Sequence, residues 1–99
     1  MALTRQAAKR DANEGVIISA LRAAGAQVYP ISETGVPDLL VGFRGQTFLL
    51  EVKNAKGKLT EDQDQFFKTW SGGLIHVVRS VPEALQFIGA VEWGSLLDE

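Results

Sequence analysis

The chain has 99 residues, 45% of them hydrophobic, and ten Lys and Arg against twelve Asp and Glu give it a formal charge of −2. That is enough for one compact domain spanning 1–99, too apolar for a disordered chain and too acidic for a protein that coats nucleic acid by charge alone. The absence of cysteine excludes disulfides and thiolate metal sites and fits a reducing, cytoplasmic setting, while no segment approaches the ~20 apolar residues of a membrane span and the N-terminal stretch has no signal-peptide core.

From about Arg5 to Ala24 the sequence predicts a helix, since Ile17, Ala20, Leu21 and Ala24 recur at helical spacing and Gly25 is a good stop. "AQVYPI" predicts a short strand, with Pro30 at a sheet edge or strand end. "DLLVGF" and "TFLLEVK" predict two strands joined by a tight turn at Gly45. "NAKGK" is a basic loop. A second helix opens at Thr60 and stops at Gly72-Gly73. "LIHVV" reads as a buried strand, and Ser80, Pro82 and Glu83 open a third helix, with Glu83 placed to close a capping box on Ser80. The tail from Ala90 is ambiguous. The order is αβββαβα, an α/β fold in which a hairpin and a βαβ crossover make a mixed sheet with helices packed on it.

The segment "GVPDLLVGFRGQTFLLEVKN", Gly35 to Asn54, places Asp38, Glu51 and Lys53 within otherwise apolar strands. A two-residue turn at Arg44-Gly45 pairs Phe43 with Gln46, and counting back sets Asp38 opposite Glu51 on one face, with Cβ atoms ~5 Å apart. Lys53, two residues on, shares that face, whereas Leu39, Val41, Phe43, Phe48, Leu50 and Val52 occupy the other. Two readings of the cluster are open. Opposed carboxylates repel, and a divalent cation such as Mg²⁺ resolves the conflict, with Lys53 beside it to orient or deprotonate a water or to stabilise phosphate charge. Alternatively, Lys53 makes a partly exposed salt bridge at a strand end, a common and weak feature. A register slip of one residue would send Glu51 to the opposite face.

"VPD" followed by "EVK" resembles the metal motif of the PD-(D/E)XK nucleases. The ordered set "NEGVIISALRAAG", "GVPDLLV", "LLEVKNAKGKLTEDQ" and the strand after the Gly pair resembles the VRR-NUC branch in its small stand-alone phage or bacterial form. This resemblance runs from Glu14 to about Val78 and implies a restriction-endonuclease-like core. It implies Asp38, Glu51 and the Val52 backbone carbonyl as metal ligands, and Lys53 as the catalytic lysine. Glu14 matches the acid that the first helix points at the site, and Gln63 the glutamine that follows the lysine. Mg²⁺, with Mn²⁺ as substitute, is the implied cofactor. DNA is the implied substrate, branched DNA such as a four-way (Holliday) junction, cut to 5′-phosphates by a homodimer.

Each of these residues also has a plainer role. Glu14 suits a helix start, where the dipole favours an acid. Thr60-x-x-Gln63 is itself a capping box, although Gln63 shares a face with Phe66, Phe67 and Trp70, which are expected to point to the sheet. His76 reads as a structural histidine, and Trp70 and Trp93 as core or interface. Lys56 and Lys58, and Arg5, Lys9 and Arg10 in the N-terminal arm, are candidate contacts to DNA phosphates or simply solvated. The apolar tail residues Val91, Trp93, Leu96 and Leu97, with Phe87 and Ile88, suggest a subunit interface. Two rival functions stand beside the nuclease of branched DNA. A restriction-type endonuclease needs base-reading elements for which 99 residues leave little room. A non-catalytic DNA-binding module sits poorly with an intact Asp38/Glu51/Lys53 set.

Overall fold

The hairpin count is the register observed. In the computed structural model, which describes residues 11–91, Phe43 pairs with Gln46 and Leu39 with Leu50. Arg44 (φ 51°) and Gly45 (φ 81°) form the turn, both in the left-handed region that a two-residue turn matching strand twist requires. The strands are β1 (Gln27–Pro30), β2 (Leu39–Phe43), β3 (Gln46–Val52) and β4 (Leu74–Val78), in the spatial order β1-β2-β3-β4. The first two pairings are antiparallel and β3–β4 is parallel. Helices α1 (Glu14–Ala23), α2 (Glu61–Thr69) and α3 (Val81–Ile88) complete the αβββαβα order. The expected α/β fold with a mixed sheet is therefore the one observed.

One sheet face holds the core. Val28, Leu39, Val41, Phe43, Phe48, Leu50, Val52 and Val78 point to it and meet Ile17 and Leu21 of α1 and Ala84 and Ile88 of α3. Strict alternation sends Tyr29, Leu40 and Leu49 to the other face, where Tyr29 and Leu40 are exposed. Ile88 is thus a core residue and not part of an outer patch. Phe87 is half-buried, edge-on to Phe48 and stacked on His76.

Several expectations are corrected. α1 begins at Glu14 after a turn, rather than at about Arg5, and residues 1–10 lie outside the described part. β4 is not a buried strand: it is the sheet edge, only Val78 is buried in it, and His76 is exposed. β4 has a neighbour on one side only, so its apolar side chains are half-covered. Glu83 does not close a box on Ser80, because its Oε1 accepts the N–H of Arg79, one residue further back; the Ser80 Oγ still accepts from Glu83 N at 3.2 Å. α2 buries no residue fully. Phe66 and the C-cap residue Trp70, one turn apart, stack on each other at 5.1 Å. Trp70 is exposed, with Nε1 bonded to Gly73 O. Its ring lies against Gly72, where an added Cβ would come within 2.3 Å of it.

Candidate active site

At the open end of the hairpin, Asp38 immediately precedes β2, and Glu51 lies in β3 opposite it in continuation of the Leu39–Leu50 register. The N–H of Val52 donates to Asp38 Oδ2 at 2.8 Å, which holds the Asp38 carboxylate across the strand pair. Glu51 is 1% exposed, the one strand carboxylate in the described residues buried to that degree. Burial, then the Asp38 charge, then a hydrogen bond with Asp38 raise its pKa to about 8. Lys53 Nζ stands 3.7 Å from Glu51 Oε2, with side-chain exposures of 14% and 2%. Its attraction lowers the Glu51 pKa but is outweighed. Glu51 Oε1 is buried without a hydrogen-bond partner among the described residues.

This is not a solvated surface salt bridge. Glu51 is buried and Lys53 mostly so, one Glu51 carboxylate oxygen is left over, and two acids face each other behind a single lysine. Such a donor set fits a hard cation with oxygen ligands, since Mg²⁺ is held by one or two carboxylates and completes its shell with water and phosphate. No group of three or more His, Cys, Asp and Glu side chains that could hold a metal occurs among the described residues. The set available here is therefore two carboxylates supplemented by backbone oxygen and water.

The helix start closes on this end of the sheet. Asn13, the residue before α1, donates from Nδ2 to Lys53 O at 3.1 Å and to Arg79 O at 3.2 Å. Glu14 is buried in the first turn at 5% exposure, so it is not a surface acid. The charge of Asp11 also reaches Glu51 and helps raise its pKa. After β3, the loop carrying Lys56 and Lys58 is built rather than loose: Arg79 Nη1 donates to Asn54 O at 2.8 Å and to Gly57 O at 2.7 Å, and Lys56 N to Asn54 Oδ1 at 3.0 Å. Both lysines are exposed.

The structure thus brings Asp38, Glu51, Lys53 and the Val52 backbone to one place, with the helix start tied to it through Asn13 and Glu14 buried beside Asn13. Gln63 is used differently. Its Oε1 accepts from Thr60 N at 2.9 Å and its N–H donates to Thr60 Oγ1 at 3.2 Å, the complete capping box. Arg5, Lys9, Arg10 and Trp93 lie outside the described residues. Asp11, Asn13 and Arg79 were not singled out from the sequence. The predicted helix from about Arg5 to Ala24 places Asn13 inside it, and nothing in the order of residues joins Arg79 to a loop 22 positions away.

No family model matches this chain, and no curated protein matches it. Among solved structures it is similar to one described as "VRR_NUC domain", with 26% identity and a TM-score of 0.63 over 79% of this chain and 96% of that one. The PD…EVK resemblance and this likeness come from different information, local motif and whole backbone, and they agree: in fold, over most of its length, the chain is similar to a VRR_NUC domain.

Proposed function

We propose that the chain is a Mg²⁺-dependent DNA endonuclease of the PD-(D/E)XK type, with residues 1–99 forming one nuclease domain. The observation that carries this reading is the buried Glu51 facing the half-buried Asp38 beside Lys53, with Glu51 raised to about 8 and its Oε1 without a hydrogen-bond partner. The likeness to a VRR_NUC domain supports it. Asp38, Glu51 and the Val52 carbonyl hold the ion, and Mn²⁺ serves in its place. When bound, the ion supplies a coordinated water of lowered pKa and offsets charge on a phosphodiester oxygen.

The chain's own residues do the rest. Asp38 is kept in place by the Val52 N–H and presents its other carboxylate oxygen to the site. Glu51, protonated near neutral pH in the metal-free protein, would offer its carboxylate to the ion with its proton released to solvent. Lys53 keeps its ammonium at the mouth of the cluster, where it stabilises charge on the phosphate and orients the attacking water. Glu14 orients a water from the helix start. Gln63 has only its amide NH₂ for the site, because its Oε1 caps α2. Lys56 and Lys58, with Arg5, Lys9 and Arg10, contact backbone phosphates and carry no sequence information.

The substrate is branched DNA, a four-way junction cut symmetrically by a homodimer to leave 5′-phosphates, and the protein works inside the cell. Among the described residues no helix is long and apolar enough to cross a membrane. Labelled four-way junction and linear duplex are each incubated with the protein, with Mg²⁺ and with EDTA. Paired nicks in the junction, absent with EDTA, uphold the reading. Cleavage of duplex at a fixed sequence points to a restriction-type enzyme, and binding without cleavage in Mg²⁺ or Mn²⁺ to a non-catalytic module.

A further inference from the structure

Asn13 occupies the N-cap of α1, a position where asparagine ordinarily accepts a helix N–H, yet its side chain makes no cap bond. It reaches instead to Lys53 O at 3.1 Å and Arg79 O at 3.2 Å, across 40 and 66 residues of sequence. Both partners are carbonyl acceptors, so the side-chain NH₂ must face them, and the orientation of the amide is settled by chemistry. The Lys53 peptide is thereby held on both sides, since its N–H donates to Val78 O at 3.1 Å. Lys53 is the last residue before the loop, where a strand end otherwise frays. Arg79 extends the brace, with its N–H on Glu83 and its guanidinium on Asn54 O and Gly57 O.

From these contacts we infer that Asn13 is a positioning residue: it pins the backbone of Lys53, and so aims the Lys53 ammonium at the carboxylate pair. A cap bond serves α1 alone, whereas this one joins α1, β3 and the end of β4 at the point where the chemistry is gathered. The inference rests on the reading of Lys53 as a participant in cleavage.

The test separates bracing from capping. Asn13→Ser keeps a good capping hydroxyl, but its single O–H cannot donate to two carbonyls. Asn13→Asp keeps the shape and the ability to cap and removes the donor altogether. For both variants, kcat and KM on a labelled four-way junction in Mg²⁺ are compared with wild type, together with amide hydrogen exchange at Lys53 and Asn54. The expected result is a kcat lower by about tenfold to a hundredfold, KM little changed, the fold retained with a lowered melting temperature and faster exchange at Lys53. A kcat at the wild-type value in either folded variant overturns the inference. Exchange does not depend on cleavage: if wild-type protein cuts no DNA, the nuclease reading falls by itself, and unchanged exchange at Lys53 still overturns the brace while faster exchange upholds it.

Discussion

Lys53 stands 3.7 Å from Glu51 and does not neutralise it. An ion pair that satisfied both partners would hold the Glu51 carboxyl below its ordinary value. It is instead raised to about 8, because burial and the facing Asp38 together outweigh one lysine. A fold that evolved for stability alone gains little from such a pair, since replacing buried ionisable groups by apolar ones of similar size is often neutral or stabilising. The site is short of positive charge, and that deficit is the physical argument for a cation.

Replacing Glu51 by Gln keeps the shape and a donor toward Asp38 but removes the charge. Cleavage is expected to fall by at least about 10³-fold, as for loss of a main electrostatic element. The metal-free protein, by contrast, should gain about 1–3 kcal/mol at pH 7, because the wild-type carboxyl must take up a proton on folding and the amide need not. Single-turnover cleavage and melting in EDTA check both halves. Lower stability together with lost activity would mean that Glu51 is held by bonds rather than strained.

The same shift sets a pH dependence. Glu51 is an acid whose folded pKa, about 8, lies above its ordinary 4.5. Between those values the folded state holds more protons than the unfolded one, so stability falls as pH rises, by at most about 1.4 kcal/mol per unit. The contribution is fully present below 4.5 and lost by about 8. Melting in EDTA from pH 5 to 9 should show this decline, Glu51→Gln should flatten it, and Mg²⁺ should oppose it because cation binding needs the ionised form. Calorimetry in buffers of different ionisation enthalpy should accordingly detect proton release when Mg²⁺ binds at pH 7.

For Lys53→Ala the expectation is a kcat loss of about 10²–10³-fold with junction binding nearly unchanged, the pattern of an interaction made in the transition state. The side chain lies just past β3 and outside the apolar core cluster, so no core packing is lost and the melting temperature should hold. Gel-shift titration in Ca²⁺ separates binding from cutting. A variant that cuts at the wild-type rate removes Lys53 from the mechanism.

Symmetric cutting of a four-way junction needs two sites related by a two-fold axis, hence two chains. Sedimentation at micromolar concentration should give a dimer. A chain ending at Val91, without Trp93, Leu96 and Leu97, should sediment as a monomer and retain at most single-strand nicking. A full-length monomer, also on the junction, would leave a single-site nuclease.

The parts of this protein that could be read from its order of residues are those governed by neighbours. The Arg44-Gly45 turn dictates the pairing of Phe43 with Gln46, and the two-residue period of a strand then carries Asp38 opposite Glu51 without further information. Thr60 and Gln63 close their box within one helical turn. What folding alone decided is how far each group is taken out of water and which distant ends meet. The burial that raises Glu51, the one-sided core that leaves β4 at an edge and His76 exposed, and the diversion of Asn13 from its own helix to Lys53 all depend on long-range packing. Hydrogen bonds across 40 and 66 residues leave no periodic trace in a sequence. Asn13 is one more residue of a predicted helix in the sequence and a brace in the structure, because the carbonyls it holds come near it only when the sheet and α1 are assembled.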